Sequence, residues 1–176
     1  MCCSAPWDFL NNASVGAAVG AIATYIVVRL TDYARNRRKA KSVLPSLVAG
    51  AGETAREWLQ SMEKQAAATE GMVALNIGAP LDPSAIEQTS REVFAYLSHK
   101  QHLAIPKLIF FMKQADALND REQRAFIESR EGREAHAPTM EAYRRDRKFF
   151  LETVAKLSDA YVNNTLNARG FFDPTP

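Results

Sequence analysis

The chain has 176 residues, of which 47% are hydrophobic and 24% are charged, and its net charge is +2. That charge comprises −1 in residues 1–28, +5 in residues 29–41 and −2 in residues 42–176. Because the long C-terminal part is slightly acidic, the composition argues against a nucleic-acid-binding domain, which would be basic on its own account.

The first predicted element is a transmembrane helix over residues 13–30. Residues 13–28 carry no charge and extend about 24 Å as a helix, and apolar flanking residues lengthen them toward the roughly 30 Å of a hydrocarbon core. Trp7 and Tyr33 stand at the two ends of this stretch, as interfacial aromatic residues do. The pattern therefore predicts a single-pass membrane protein.

Three other interpretations of this stretch compete with the transmembrane one. A buried core helix is the first, and the lack of a polar face argues against it, since the helices of a soluble domain usually have one. An interfacial helix would have a charged face. A cleaved signal peptide would carry positive charge before the apolar run, whereas the only charged side chain in residues 1–12 is that of Asp8. The transmembrane interpretation fits the sequence best.

Positive charge follows the apolar stretch and predicts its orientation. The cations are Arg29, Arg35, Arg37, Arg38, Lys39 and Lys41. Since Lys and Arg beside a membrane helix stay in the cytoplasm, we expect residues 1–12 outside and the rest of the chain inside. Residues 31–45 then form a basic juxtamembrane segment suited to anionic lipid headgroups. A nucleic-acid or localisation role is the alternative, which the adjacent apolar helix disfavours.

Small residues recur along the predicted membrane helix. Two neighbouring rows at a spacing of four comprise Gly16, Gly20 and Thr24, and Ala13, Ala17 and Ala21. Such rows let helices approach closely in lipid, so they predict a packing face for another copy or for a different membrane protein. The alternative is that Gly and Ala are simply common in membrane helices.

The two cysteines, Cys2 and Cys3, are adjacent near the N-terminus and cannot form a disulfide framework. Acylation is one expectation for cysteines close to a membrane segment. An intermolecular disulfide on an oxidising outer face is a second, and an unmodified terminus is the third.

Residues 46–170 are predicted to form a cytoplasmic bundle of about four to five helices, followed by a tail at residues 171–176. Pro45 is expected to interrupt any helix that continues from the membrane. A helix then runs to Ala68, with Gly50 and Gly52 each weakening its first turns by roughly 1 kcal/mol relative to alanine. A linker follows over residues 71–83, and Asp82 with Pro83 is predicted to begin the next helix.

The second half of the bundle contains its most apolar soluble stretch. Residues 103–118 are predicted as the central core helix, with Pro106 in its first turn, followed by a short helix that Asp120 and Gln123 cap. A break at residues 132–138 precedes a long last helix over residues 139–168, which Gly170 closes. One row of that helix comprises Met140, Tyr143, Arg147, Phe150, Val154, Leu157 and Tyr161. No strand pattern is present, so the fold class is all-α.

No pattern in the sequence predicts catalysis. His99 and His102 share a helix face, and His136 and Asp116 are available as further ligands, but the spacing does not define a metal site. The mixed charges at Arg121, Arg124, Arg130, Arg133, Arg144, Arg145, Arg147 and Lys148, with interleaved carboxylates, are typical of a solvated helix face. A docking surface for an acidic protein or for lipid headgroups is the alternative. We therefore expect neither a cofactor nor a metal.

Two functional hypotheses follow. The first is a non-enzymatic, single-pass membrane-anchored interaction protein, an accessory or scaffold subunit of a membrane protein assembly. The second is a membrane-acting effector or sensor that self-associates through its transmembrane helix. An enzyme that uses the two histidines is a distant third.

Overall fold

The structure is a computed structural model that describes residues 13–67, 80–130 and 137–172. Within these ranges it is mostly helical and holds one isolated β-bridge, between Leu166 and Phe172. The all-α prediction is therefore confirmed for the described residues. The chain divides into two compact units, Met1–Arg38 and Lys39–Pro176.

Five α-helices make up most of the described chain. They are α1 (Ala13–Arg38), α2 (Leu44–Ala67), α3 (Ser84–Glu92), α4 (His99–Arg130) and α5 (Ala137–Val162), with a π-helical segment at Lys39–Val43 and a 3₁₀ turn at Phe94–Tyr96. The first unit contributes α1, and the second contributes the other four helices.

Helix α5 is the centre of the second unit, because it packs against both α2 and α4. It runs antiparallel to α2: Gly52, early in α2, lies beside Ser158, while the later Trp58 contacts the earlier Arg147. The shorter α3 packs against both α2 and α4. Buried residues at helical spacing form the core between these helices. They include Leu44, Val48, Ala55 and Trp58 of α2, Leu108, Met112 and Ala115 of α4, and Leu151, Val154 and Leu157 of α5.

Helix α4 is one continuous helix, which corrects the prediction of two. Asp120 and Gln123 lie inside it and do not cap a new helix. The buried row of α4 continues past this point through Leu118, Asn119 and Glu122, so packing against α5 maintains the helix. Pro106 also lies inside the helix rather than in its first turn. Its ring faces solvent, and its missing N–H removes the hydrogen bond to the carbonyl four residues earlier.

The last helix begins at Ala137 and ends at Val162, six residues before the predicted end. Asn164 takes the left-handed conformation, with φ 56°. The N–H of Asn164 donates to the carbonyl of Tyr161 at 3.3 Å, and the N–H of Thr165 donates to that of Ala160 at 2.9 Å. This is a Schellman motif. The prediction that Gly170 closes the helix is therefore wrong.

Gly170 instead belongs to a turn that packs on α4. Its φ is 63°, and a Cβ at this position would lie 2.5 Å from Leu103 Cβ and 2.6 Å from the Lys100 carbonyl oxygen. Both the positive φ and the close approach require glycine. The turn thus fixes the end of the described chain against the first turns of α4.

The sequence predicts a helix boundary at Pro45 and another at Pro83, and the structure has a different outcome at each. Pro45 does not interrupt the helical backbone, because a π-helical segment precedes it and it lies in the first turn of α2, where a missing N–H is tolerated. Helix α3 begins at Ser84, and the Ser84 N–H and hydroxyl donate to the carboxylate of Asp82 at 2.9 and 2.7 Å. Most of the predicted linker lies outside the described residues.

Candidate functional site

Helix α1 exposes apolar side chains along its length. Val19, Ile22, Tyr25, Ile26, Val27, Val28, Leu30 and Tyr33 are each between 49% and 62% exposed. The helical stretch beginning at Gly16 is long and apolar enough to cross a membrane, with a mean hydropathy of 1.2 over 18 residues, none of them buried. These exposed apolar residues lie on every side of the helix, so contact with water is unfavourable all around α1.

The small-residue rows of α1 are open. A Cβ added at Gly16 or Gly20 would meet no atom within 4 Å, and Ala17 and Ala21 are exposed. The hydroxyl of Thr24 donates to the Gly20 carbonyl at 2.8 Å, so its polar group is satisfied within the helix, as an apolar surrounding requires. The structure thus leaves room along this row for another helix.

The basic residues divide between the two units. Arg29 donates to the Tyr25 hydroxyl at 3.0 Å, and its guanidinium lies 5.2 Å from the centre of that ring. Arg35, Arg37 and Arg38 of the first unit and Lys41 of the second are exposed.

Lys39 forms an ion pair with Glu92 of α3. Its ammonium is therefore engaged within the helical unit. Of the remaining predicted site residues, Cys2 and Cys3 lie outside the described residues, and Ala13 is described only as part of α1.

The structure reveals a charged cluster in the core of the second unit. Arg147 of α5 is 3% exposed, and its Nη1 lies 2.9 Å from the carboxylate of Glu122 on α4, which is 7% exposed. Arg144 makes a second ion pair with that carboxylate at 2.9 Å. The Arg147 guanidinium also lies 4.9 Å from the centre of the Trp58 ring on α2. One arginine thereby joins three helices.

Burial dominates the electrostatics of this cluster. Desolvation lowers the pKa of Arg147, while the charge and hydrogen bond of Glu122 oppose that change. Desolvation also raises the pKa of nearby Asp116, although the Leu81 N–H donates to its carboxylate at 3.2 Å. The Nε and Nη2 of Arg147 are buried and have no hydrogen-bond partner among the described atoms. The cluster stabilises one arrangement of α2, α4 and α5, and of its charged members Arg144 is the most exposed, at 44% of its side chain.

Sequence analysis placed Arg147 on a solvated charged face, and its burial corrects that interpretation. The signal was the apolar row of α5, in which Arg147 occupies a core position between Tyr143 and Phe150. An arginine in such a row needs a buried carboxylate. The sequence does not identify Glu122 as that partner, because the two residues stand 25 positions apart in the chain.

The two histidines of α4 have different surroundings. His99 is exposed, and the His102 ring lies 4.1 Å from that of Phe94, centre to centre. Within the described ranges, no three His, Cys, Asp or Glu residues come close enough to hold a metal ion. His136, the other predicted ligand, lies outside those ranges.

Two grooves mark the surface of the second unit. One of about 270 Å³ lies between α2 and α5 and is lined by Leu59, Met62, Glu63, Glu141, Arg144, Arg145 and Lys148. The other, of about 300 Å³, lies beside Pro106 and is lined by Glu87, Ser90, Arg91, Phe94, Leu97, His102, Ile105 and Ile109. Although Glu87, Ser90 and His102 share the second groove, the hydrogen bonds of the described residues do not join them as an acid, a nucleophile and a base. The Ser90 hydroxyl donates to the Glu87 carbonyl at 2.9 Å, the Glu87 carboxylate pairs with Arg91 and Lys113, and His102 Nδ1 has no partner among the described atoms.

No protein-family model, curated protein or solved structure matches the chain.

Proposed function

We propose that the protein is a single-pass membrane-anchored helical interaction protein that serves as an accessory or scaffold subunit of a membrane assembly. The observation that carries the proposal is the apolar surface of α1, exposed on every side. Hydrocarbon solvates such a surface. The row of Gly16, Gly20 and Thr24 then supplies a side on which another membrane helix can pack closely.

In the proposed topology residues 1–12 lie outside the cell and the helical unit lies in the cytoplasm. The support is the difference in charge between the two flanks of α1, since Lys and Arg remain on the cytoplasmic side. Arg35, Arg37 and Lys41 are exposed and are proposed to contact anionic headgroups. A reporter active only in the cytoplasm, fused to the C-terminus, tests this: activity supports the topology, and silence with full expression contradicts it.

Fractionation is the first test of the anchor. We expect the full-length protein to stay with the membranes after alkaline carbonate extraction and to dissolve in detergent. Recovery in the aqueous fraction without detergent would contradict the proposal at its base.

Association through α1 is tested by a matched pair of variants. Gly16→Leu with Gly20→Leu fills the open row, whereas Ala18→Leu adds the same side chain about 160° away around the helix. The assays are size analysis in mild detergent and mass spectrometry of co-purifying membrane proteins. We expect the glycine variant to lose its companion and the alanine variant to keep it. A wild-type protein that runs as a lone monomer, without a companion, would contradict the scaffold function.

A further inference from the structure

Six phenylalanines form a connected surface on the second unit, which we call the aromatic face. They are Phe110 and Phe111 of α4, Phe149 and Phe150 of α5, and Phe171 and Phe172 of the C-terminal turn. Neighbouring ring centres lie 4.4 to 6.2 Å apart. Phe110 is 52% exposed and Phe149 is 60% exposed, so the face presents large apolar rings to the solvent.

Three cations border the aromatic face, and the fold brings them together. Lys100 and Lys107 lie on one side of α4, and the turn containing Gly170 packs on the same side. The Lys107 ammonium lies 5.5 Å from the Phe171 ring centre and donates to the Arg169 carbonyl. Arg169 itself is exposed.

These cations have no carboxylate partner among the residues the structure describes. The ion pairs there involve other lysines and arginines. The groove between α2 and α5 is different, because Glu63 and Glu141 accompany its basic residues. On α5, Asp146 stands three residues before Phe149 and pairs with Arg145 at 3.6 Å. The α4 side of the aromatic face therefore has unpaired positive charge, and that side complements a negatively charged surface.

The chemistry of this face matches an anionic bilayer better than it matches a protein groove. Phenyl rings bury apolar area at the boundary between headgroups and acyl chains, and Lys and Arg beside them attract anionic headgroups. The rings bring no hydrogen-bonding group that would need a specific partner, and the exposed rings Phe110 and Phe149 stand on two different helices. A bilayer surface is broad and laterally uniform, so it needs no specific hydrogen bond and can contact the exposed rings of both helices.

We infer that the aromatic face, with Lys100, Lys107 and Arg169, is a second membrane contact that docks the helical unit onto anionic lipid. This inference rests on the proposed function, in which α1 brings the unit to a bilayer. Docking then holds one side of α4 and α5 against the lipid and leaves the groove between α2 and α5 free for a protein partner.

The test measures the surroundings of a spin label in the full chain. Cys2→Ser and Cys3→Ser provide the background, and Phe110→Cys carries the label. The protein is reconstituted into nanodiscs of phosphatidylcholine alone or mixed with phosphatidylglycerol. Accessibility to oxygen, which concentrates in lipid, is compared with accessibility to a water-soluble nickel complex. We expect the label to gain oxygen contact and to lose nickel contact when phosphatidylglycerol is present.

Ile127→Cys provides the matched control, since Ile127 is 54% exposed on the same helix but lies far from the cations. Its label should remain accessible to nickel in both lipids. Changing Lys100, Lys107 and Arg169 to glutamine should return the Phe110 label to the water-accessible state, with roughly fivefold weaker docking for each cation removed.

Three outcomes would overturn the inference. They are a Phe110 label equally exposed to nickel in both lipids, one that enters neutral lipid equally well, and one shielded from both reagents, which indicates a protein partner. Failure of the proposed anchor is a separate result, because the chain would then not incorporate into nanodiscs at all.

Discussion

Helices α1 and α4 both contain long apolar stretches, yet their side chains lie in opposite surroundings. In α1, Ile22 is 60% exposed and Leu30 is 62% exposed. In α4, Leu108 and Met112 are each 1% exposed. The number of apolar residues does not explain this difference, because the stretch of α4 at residues 103–118 is about as long as that of α1.

The difference follows from where the polar residues stand. In α4, Lys107, Lys113 and Gln114 interrupt the apolar stretch and give the helix a side that water can solvate, so that the opposite row packs into protein. Over residues 13–28, α1 has no charged residue, so no side of it is suited to water. A helix with a polar side finds its partners within its own domain, whereas a helix without one needs apolar surroundings supplied from outside.

The largest predicted effect concerns Glu122 of α4, whose carboxylate lies in the core beside Arg147. Glu122→Leu leaves Arg147 buried without its carboxylate and leaves Arg144 nearby as a second unpaired cation. Breaking such a buried pair costs about 3–5 kcal/mol. Urea unfolding of the full chain in mild detergent, followed by circular dichroism, measures the change.

The double variant Glu122→Leu with Arg147→Met is the control, since it replaces both charges with apolar groups of similar size. It should recover most of the lost stability. As an exposed reference, Glu63→Gln alters an ion pair with Lys148 at 3.9 Å and should change the free energy of unfolding by less than about 0.5 kcal/mol. If Glu122→Leu is as mild as Glu63→Gln, the cluster does not hold the core together.

The next prediction applies one substitution to both helices. Leu108→Ala removes a fully buried side chain from α4 and should destabilise the helical unit by about 2–5 kcal/mol. Leu30→Ala removes an exposed side chain from α1 and should leave unfolding of that unit within about 0.5 kcal/mol of the wild type. The same urea titration measures both. Equal losses would mean that α1 is part of the domain core and would erase the difference between the helices.

This comparison also explains how much of the fold could be predicted from the sequence. The apolar stretch of α1 and the helical spacing of the bundle are local patterns, and they were sufficient for the all-α class and for an apolar N-terminal helix. The same local rules failed at Asp120 and Gln123, where a good capping pair lies inside a continuous helix. The burial of Leu118 and the pairing of Glu122 with Arg147 of α5 override the local preference there, and that pairing is distant in sequence.

The buried cluster shows why the rest could not be predicted. Arg147 stands in an apolar row, so its burial could be read from α5 alone, but its partner could not. Glu122 resembles the neighbouring solvated glutamates in sequence, and only the packing of α4 on α5 distinguishes it. Similarly, α5 ends at Val162 with Asn164 in the left-handed conformation, although glycine is the residue most often found at that position.

Sequence analysis treated Gly50 and Gly52 as equivalent, but the structure predicts that alanine at the two positions changes the stability in opposite directions. A Cβ at Gly52 would lie 2.7 Å from Ser158 Cβ, and one at Gly50 would meet nothing within 4 Å. Since neither Cβ can rotate away, Gly52→Ala forces α2 and α5 apart and should destabilise by about 1–3 kcal/mol. Gly50→Ala should stabilise by up to about 1 kcal/mol through helix propensity. Thermal unfolding of both variants measures these shifts, and equal shifts in one direction would contradict the close helix approach.

The smallest predicted effect concerns the partly buried carboxyl of Asp116. Desolvation raises its pKa above the ordinary 3.8, so the folded state favours its protonated form. Its contribution to stability is therefore greatest in acid and is lost as the pH rises through the raised pKa. Asp116→Asn cannot ionise, so we expect the variant to match the wild type in acid and to be more stable at neutral pH. Urea unfolding of both proteins between pH 4 and pH 7 measures the difference.

Asp82→Asn should show the opposite dependence on pH. The hydrogen bonds from Ser84 lower the pKa of Asp82, so its ionised form favours folding, and that contribution is lost as the pH falls through the lowered pKa. The Asp82 variant should therefore be less stable than the wild type at neutral pH and should approach it in acid. The two aspartates would then report opposite surroundings. Asp116 of α4 reports the interior near Arg147, and Asp82 reports the solvent at the start of α3. Parallel pH profiles for the two variants would mean that burial does not distinguish these carboxyls.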